Sequence, residues 1–281
     1  MRELENIRDI NSMTGFEFED VCRRYTRFAY LGNNLALCRV LTRYKLYIDT
    51  RDKSLAPHFI MDGFWETWLT KCLVDFVKPG DTCIDIGANF GYYSVLMSAL
   101  AGDKGQTIAI EPNPDVCRLL RSSSGINSPG FRVAEVAVSN TNGHVVLNIP
   151  QTLFGDASII DRTDGKKEKR KKVKVEAIML DELMERMSVS KVNMIKMDVE
   201  GAEPMVFEGM KRIIENNPGL KIIIEYSPHL YSDAKGFTEY LFANFTVNRI
   251  KDVEVMTRLD ESAIDNLVQL NDHTDLYLVK K

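Results

Sequence analysis

The chain has few cysteines, and none is placed as a disulfide framework or a zinc site requires. Five cysteines are scattered over the first 117 of 281 residues, and no two of them form a C-x-x-C pair. An odd, unclustered set that includes positions in a core strand is typical of reduced thiols in a cytosolic protein. We therefore expect neither disulfides nor a structural zinc.

Long apolar runs are also absent. The first thirty residues carry acids throughout, so we expect no signal peptide, and no stretch approaches the length that spans a membrane. The composition is 44% hydrophobic and 27% charged, as in ordinary soluble proteins. The net charge of −4 indicates no general attraction to nucleic acid, so we expect no binding to DNA. Because we expect neither a signal peptide nor a membrane-spanning stretch, we expect a cytoplasmic protein.

A third absence concerns glycine. A dinucleotide-binding turn normally carries G-x-G-x-x-G, so that the backbone can meet a pyrophosphate. Here the spacing is Gly87-x-x-x-Gly91, without the middle glycine, and Asp85 just before the turn would repel a pyrophosphate. These features argue against a nicotinamide-dependent dehydrogenase. Asp85 would instead suit a cationic or amine-bearing ligand.

What the sequence does contain is a strand, a glycine turn and a helix in succession. Residues 82–86 form an apolar run typical of a strand covered on both faces, and an apolar helix follows over 92–101. Gly87 and Gly91 bracket a tight turn where a side chain would block close approach to a ligand. Such a unit presents free backbone N–H groups at one edge of a parallel sheet, where small ligands bind.

A second short apolar strand, over 107–111, ends in an acid. Glu111 lies 24 positions after Gly87, close to the distance at which nucleotide-binding folds place a ribose-binding carboxylate. The same residue could cap the helix that begins near Asn113. Both roles are compatible, because the acid lies between the strand and the helix in either case.

Acids also follow two later apolar strands. The strand over 191–197 ends in the acidic segment 198–203, and the strand over 220–224 ends at Glu225. Such acids are costly to bury unless they bind something, although Glu200 or Glu203 could instead cap the following helix. Among the four histidines, only His229 follows a core strand at the expected active edge. The candidates for a general base are Asp198, Glu200, Glu225 and His229.

Three of these acids raise the question of a metal. Asp198, Glu200 and Glu225 could bind a divalent cation through oxygen ligands. Their spacing is not diagnostic, so the sequence does not indicate a metal.

Taken together, these segments resemble the FkbM family of class I methyltransferases, which use S-adenosylmethionine (SAM). The resemblance rests on four segments, 84–94, 111–114, 196–203 and Glu225, and it covers roughly residues 58–250. It implies O-methylation, often of a hydroxyl on a sugar or on a polyketide-type natural product.

The resemblance also implies which residues contact the cofactor. A loop after the first strand would hold SAM, Glu111 would hold the ribose, and Ala137 would lie near the adenine edge. The role of the segment 198–200 is not settled by the resemblance. The cofactor-binding residues implied are Asp85, Gly87, Ala88, Asn89, Gly91, Tyr92, Tyr93, Glu111, Pro112, Asn113 and Ala137.

The order of elements predicts an α/β protein with a Rossmann-like class I methyltransferase fold. Strands and helices alternate from residue 81, which predicts a mostly parallel, seven-stranded sheet with helices on both faces. Its third strand is expected over 131–138, and its last two strands suit the antiparallel end. We assign residues 57–281 to the methyltransferase domain, with a β insertion over 140–179.

Residues 1–56 are predicted to form a helical N-terminal cap. Phe18, Val21, Cys22, Tyr25, Phe28 and Ala29 recur at helical spacing, and 44–49 alternates like a strand. The aromatic-rich segment 58–66 could lie over the cofactor pocket, although core packing is the interpretation that we favour for Phe64 and Trp65. Glu66 is polar among apolar residues, and 155–158 is a small polar stretch of the kind that lines sites.

A basic run, Lys166–Lys174, holds seven cations in the ten residues 165–174. It could hold a phosphorylated acceptor, an anionic membrane or RNA. Alternatively it is a solvated hairpin tip, and it lacks the interleaved aromatic residues that a single-stranded RNA site would carry.

We predict a SAM-dependent O-methyltransferase that acts on a sugar hydroxyl, in a nucleotide sugar, a glycan or a glycosylated natural product. The alternatives are a non-sugar natural-product hydroxyl, or RNA held by Lys166–Lys174. The sequence lacks the N/D-P-P-Y turn of amine methyltransferases and the Pro-Cys pair of cytosine C5 enzymes. A homo-oligomer is compatible with the sequence. A non-enzymatic SAM-binding module would be favoured if replacing Asp198 and Glu225 left function unchanged.

Overall fold

The computed structural model describes residues 4–161, 169–252 and 255–281. Over these ranges the chain forms strands that belong to one large sheet and two small ones. The strands are β1 (Phe28–Gly32), β2 (Leu35–Val40), β3 (Tyr44–Asp49), β4 (Thr82–Ile86), β5 (Gln106–Ile110), β6 (Arg132–Ala134), β7 (Ala137–Val138), β8 (Gly143–Pro150), β9 (Arg170–Ile178), β10 (Met194–Met197), β11 (Lys221–Tyr226), β12 (Phe245–Asp252), β13 (Val255–Arg258) and β14 (Thr274–Lys280).

The helices cover both faces of the large sheet. Across the described residues, none of them combines the length and apolarity needed to cross a bilayer. The α-helices are α1 (Gly15–Tyr25), α2 (Ala56–Met61), α3 (Thr67–Phe76), α4 (Tyr92–Ala101), α5 (Pro114–Ile126), α6 (Leu180–Arg186), α7 (Glu203–Glu208), α8 (Lys211–Asn216), α9 (Ala234–Asn244) and α10 (Ile264–Val268). Short 3-10 helices span Ile7–Ser12, Phe154–Asp156, Pro228–Leu230 and Glu261–Ala263.

The large sheet has the order β13-β12-β14-β11-β10-β4-β5-β6. Strands β6, β5, β4, β10 and β11 pair in parallel, whereas β14 and β12 pair antiparallel at the far end. This confirms the predicted α/β class and the antiparallel end of the sheet. The seven expected strands are present, and β13 adds an eighth at the edge. The chain runs from β4 to β5 on one side and later returns to β10 on the other, which leaves a crevice at their carboxyl ends.

Two apolar clusters fill the space on the two sides of this sheet. Cys83 faces a cluster that includes α3, α4 and α5, whereas Ile84 and Ile86 face a cluster that includes α6, α7, α8 and α9. Alternate residues of one strand point to opposite faces, so both faces of β4 are buried. Its continuous apolar sequence is therefore that of a central parallel strand.

The predicted third strand is broken in two. Residues Arg132–Ala134 pair with β5 in the large sheet, whereas Ala137 and Val138 pair with β9 in a small sheet of order β7-β9-β8. The single strand expected over 131–138 was therefore wrong. The β insertion itself is present as the antiparallel pair β8 and β9.

The N-terminal cap is helical only in part. Helix α1 begins at the capping box of Thr14 and Glu17, but it ends at Tyr25, and Phe28 and Ala29 lie in β1. Strands β1, β2 and β3 form an antiparallel sheet, of which the sequence indicated only β3. The turn between β1 and β2 passes through Gly32, Asn33 and Asn34, all with positive φ. A right-handed helix cannot include such residues, so the chain forms a turn between two strands here.

The turn after β4 packs directly against the end of β10. The Asp198 backbone N–H donates to the Ile86 carbonyl at 3.0 Å, and Gly87 adopts φ +80°. A Cβ at Gly87 would lie 1.8 Å from the Asp198 carbonyl oxygen. A side chain here is therefore excluded by the neighbouring strand end, and not only by a ligand as the sequence suggested.

We predict that Gly87→Ala destabilises the protein more than Gly219→Ala does. Gly219 has φ +79° and no atom within 4 Å of the added Cβ. An alanine at Gly219 therefore suffers the same unfavourable positive φ as one at Gly87, but it does not clash with a neighbouring atom. The extra loss of unfolding free energy at Gly87 should be about 2 kcal/mol, from overpacking. Urea denaturation of both variants measures it, and equal losses would contradict the packing reason.

Candidate active site

A cavity lies at the carboxyl edge of β4, β5, β10 and β11. Its wall contains most of the residues that the sequence assigned to the cofactor and to catalysis, together with residues from the N-terminal segment and from the β insertion. The predicted site residues that line it are Gly87, Ala88, Asn89, Gly91, Tyr92, Tyr93, Glu111, Pro112, Ala137, Asp198, Glu200 and Glu225. Asp85, Asn113 and His229 do not line it.

Asp85 lies beneath the cavity instead of facing it. Its side chain is fully buried, and one carboxylate oxygen accepts a hydrogen bond from Ser94 Oγ at 2.6 Å. The other oxygen has no hydrogen-bond partner among the described residues. Burial raises the pKa of Asp85, against the opposing charge of Lys196. Because Asp85 is buried and does not line the cavity, its contact with a cationic ligand stays a prediction.

Glu111 is held rigidly in the wall of the cavity. Its two carboxylate oxygens accept the backbone N–H groups of Asn89 at 2.9 Å and Asn113 at 2.8 Å. Burial raises the pKa of Glu111 to about 7, although both hydrogen bonds oppose this rise. Each oxygen keeps a second lone pair, so the carboxylate can still accept two hydroxyl groups.

Asn113 supports Glu111 from behind the cavity wall. Its side chain accepts the Asp115 N–H at 3.1 Å, and it is the N-cap of α5. The capping role considered for Glu111 therefore belongs to Asn113. Asn89 lies on the other side of Glu111 and lines the cavity, and its buried side-chain oxygen has no partner in the described structure.

Three carboxylates meet where β10 and β11 end. The parallel register pairs Met197 with Ile224, so Asp198 and Glu225 follow at the same level. Together with Glu200, they offer carboxylate oxygens that all lie within 4.8 Å of one another. Such a cluster can share protons or offer oxygen ligands to a divalent cation.

The surroundings of Glu225 disfavour its charged form. Burial, followed by the charges of Asp198 and Glu200, raises the pKa of Glu225 to about 10. A neighbouring cation would oppose this rise. Glu203 has a separate task, because its carboxylate accepts the N–H groups of Val199 and Gly201 in the loop before α7. Helix α7 has no side-chain cap, so the alternative in which Glu203 caps it is wrong.

Lys196 is a site residue that the sequence analysis did not single out. It is buried, and its Nζ lies 3.1 Å from Asp198 Oδ2 and 4.9 Å from the centroid of the Tyr93 ring. Burial lowers the pKa of Lys196, but the charges of Asp198, Asp85 and Glu66 more than offset this and raise it above its ordinary value. A lone lysine inside a buried strand was the signal that could have identified it.

Glu66 proves to be part of the cavity wall. It has φ +39° at the N-terminus of α3, and its carboxylate accepts a hydrogen bond from the Tyr93 hydroxyl. Burial and the nearby Asp275 raise the pKa of Glu66 to about 8. Trp65 also lines the cavity, so it covers the site, whereas Phe64 packs in the core against Phe18 with ring centroids 5.5 Å apart.

His229 is not brought to the cavity. It lies on the 3-10 helix Pro228–Leu230, which begins almost directly after β11 and turns the chain away, and its side chain is exposed. The geometry does not support His229 as a general base.

The basic run lies only partly within the described structure. Residues 166–168 fall outside the described ranges, whereas Arg170–Lys174 belong to β9. There Lys171 pairs with Asp115 at 3.3 Å and Lys172 with Asp161 at 3.6 Å. Both ion pairs are exposed, which makes them weak.

The sheet order, with a glycine turn and an acid at the ends of β4 and β5, defines a class I methyltransferase fold. A family model described as the methyltransferase FkbM domain matches residues 85–260. The chain belongs to this family and is a SAM-dependent methyltransferase.

Two curated relatives are methyltransferases. The chain is 27% identical over 172 residues to the hexuronic acid methyltransferase AglP of Haloferax volcanii, covering 57% of this chain and 67% of the relative. It is 28% identical over 149 residues to the 2-O-methyltransferase NoeI of Sinorhizobium fredii, covering 49% of this chain and 60% of the relative.

Similarity to solved structures is more distant. An O-methyltransferase from Bacillus cereus, crystallised with SAH, is 14% identical, with a TM-score of 0.43. The alignment covers 75% of this chain and 79% of that one. At this distance the similarity does not bear on the reaction.

We predict that Glu225→Gln stabilises the protein at alkaline pH. A carboxyl whose pKa is higher in the folded state lowers stability progressively as pH rises from 4.5, its ordinary pKa, to about 10. In EDTA at pH 8 the melting temperature should therefore rise by roughly 5 °C, and below pH 4.5 the difference should vanish. Glu185→Gln, at an exposed position, is the control. If the Glu225→Gln variant is no more stable than the wild type at pH 8, the pKa of Glu225 is not raised in the folded protein.

Proposed function

We propose that the protein transfers the methyl group of SAM to a hydroxyl of a carbohydrate. The observation that carries this proposal is the juxtaposition in one cavity of the turn 87–93 and Glu111 with the carboxylates of Asp198, Glu200 and Glu225. The first set fits a nucleoside-type cofactor, and the second fits removal of a hydroxyl proton.

The fit to SAM rests on acceptors that the protein leaves open. Glu111 keeps one lone pair on each oxygen for the two ribose hydroxyls, and its backbone hydrogen bonds fix its direction. The buried side-chain oxygen of Asn89 would gain a partner from a ligand donor. Pro112 and Ala137 line the cavity beside Glu111 and would flank the adenosine.

When bound, SAM supplies an electrophilic methyl group on a sulfonium. The protein aligns the acceptor oxygen with that methyl, so that the C–O bond forms as the C–S bond breaks. We assign the receipt of the hydroxyl proton to the carboxylate cluster, whose oxygens all lie within 4.8 Å of one another. Lys196 Nζ lies 3.1 Å from Asp198 Oδ2 and orients this carboxylate, which lines the cavity.

The carbohydrate acceptor is supported by two lines of argument. One relative is named for methylation of a hexuronic acid. In addition, Trp65 and Phe154 line the cavity, are half-buried and offer aromatic surface to the apolar face of a sugar ring.

We predict that Glu111→Gln weakens SAM binding, whereas Glu203→Gln does not. Glu203 is a matched control, because it also accepts two backbone N–H groups, its pKa is also raised to about 7, and it does not line the cavity. Loss of a charged acceptor should raise the Kd for SAM roughly tenfold or more. Isothermal titration calorimetry measures the Kd for SAM of both variants. An equal rise in Kd in the two variants would show that Glu111 affects SAM binding only by stabilising the fold.

The acceptor class is tested with SAM labelled in its methyl group. The enzyme is supplied with methyl glycosides of glucuronic acid and glucose, and separately with cell extract split into RNA, protein, glycan and small-molecule pools. We expect label in carbohydrate, lowered at least about 100-fold in Asp198→Ala. Label in RNA, lost when Lys166–Lys174 is neutralised, would replace this proposal with an RNA methyltransferase.

A further inference from the structure

We propose that the turn Phe154–Ser158 of the β insertion selects the acceptor, and that Asp52 is the positioning residue that sets this turn. The inference rests on the proposed function in one respect, because an acceptor must bind in the cavity described above. It assigns the acceptor side of that cavity to two segments far apart in sequence.

Asp52 joins these two segments. Its side chain is only 2% exposed, and its carboxylate accepts hydrogen bonds from Leu55 N at 2.7 Å, Ala56 N at 3.0 Å and Ser54 Oγ at 2.8 Å. These contacts hold the start of α2. A fourth donor, Phe154 N at 2.9 Å, comes from the insertion, 102 residues away. One buried carboxylate therefore ties α2 to the turn.

Other contacts keep the same two segments together. The Lys53 N–H donates to the Thr152 carbonyl at 2.7 Å, and a Cβ on Gly155 would lie 3.4 Å from Ser54 Oγ. At its far end the turn is held by Ser158 Oγ, which donates to the Glu200 carbonyl at 2.8 Å. The turn thus spans from Asp52 to the loop that carries the carboxylate cluster.

The position of this turn points to the acceptor. The proposed cofactor side of the cavity consists of 87–93, Glu111 and Ala137, whereas residues 154–159 also line the cavity together with Ser54, Leu55 and Phe59. The carboxylate cluster lines the same cavity, so an acceptor bound there lies beside these segments. Phe154 presents an aromatic face, with the Phe90 ring centroid 6.4 Å away, and polar residues follow it. A pyranoside, with an apolar ring face and a rim of hydroxyls, matches this surface.

The test compares Asp52→Asn with Asp181→Asn. An amide offers one accepting oxygen where the carboxylate offered two, so Asp52→Asn leaves backbone N–H groups facing an NH2. Asp181 is a matched control, because its carboxylate accepts Arg212 N and Ile213 N, both at 2.9 Å, at the start of α8. It does not line the cavity and does not contact the insertion.

We expect Asp52→Asn to raise the KM for the methyl glycoside about tenfold, because a displaced wall misplaces the acceptor. The Kd for SAH should stay within about twofold of the wild type. The turn meets the cofactor side through ring packing of Phe154 against Phe90, whereas the hydrogen bonds that fix Glu111 come from Asn89 and Asn113. Asp181→Asn should change neither constant. Ser158→Ala, which removes the hydrogen bond to Glu200, provides the same test if Asp52→Asn does not fold.

The outcomes separate the two proposals. An unchanged acceptor KM in Asp52→Asn and Ser158→Ala, or a matching rise in Asp181→Asn, overturns the role of the turn. A parallel loss of SAH binding also overturns it. If the wild type labels RNA or protein instead of carbohydrate, the proposed function falls, and the same variants are compared on that acceptor. If the wild type labels no pool, both proposals fall.

Discussion

The parallel pairing of β4 with β10 is the constraint on which the site depends. It places the Asp198 N–H against the Ile86 carbonyl, so the glycine turn and the carboxylate cluster meet at one level. The turn can approach this closely only because Gly87 lacks a Cβ. A shift of either strand would separate the proposed cofactor loop from the acids that we propose as proton acceptors.

The second feature of the site is the concentration of buried charge. Lys196 lies among Asp198, Asp85 and Glu66, and these acids raise its pKa in spite of burial. Burial of ion pairs costs about as much as it returns, so such a network adds little to stability. Its value lies in orientation, because the ammonium fixes the carboxylate of Asp198, which lines the cavity.

The sequence predicted the parts of the site that depend on neighbours along the chain. A strand followed by a glycine turn, and a strand that ends in Glu111, are local patterns, and both segments line the cavity. The acids Asp198, Glu200 and Glu225 follow strands that pair in parallel, so their convergence also follows from the strand order. The prediction was poorer for Asp85 and His229, because the direction of a side chain at a strand end depends on the turn that follows.

The sequence by itself determined the class of fold and most of the residues that line the proposed cofactor side, since periodicity and turn chemistry are local. Only the tertiary structure decided that Asp52 binds the Phe154 N–H, that Tyr93 donates to Glu66 and that Lys196 pairs with Asp198. The first of these contacts joins residues about a hundred positions apart. Its formation depends on how whole elements pack, and no spacing rule along the chain encodes it.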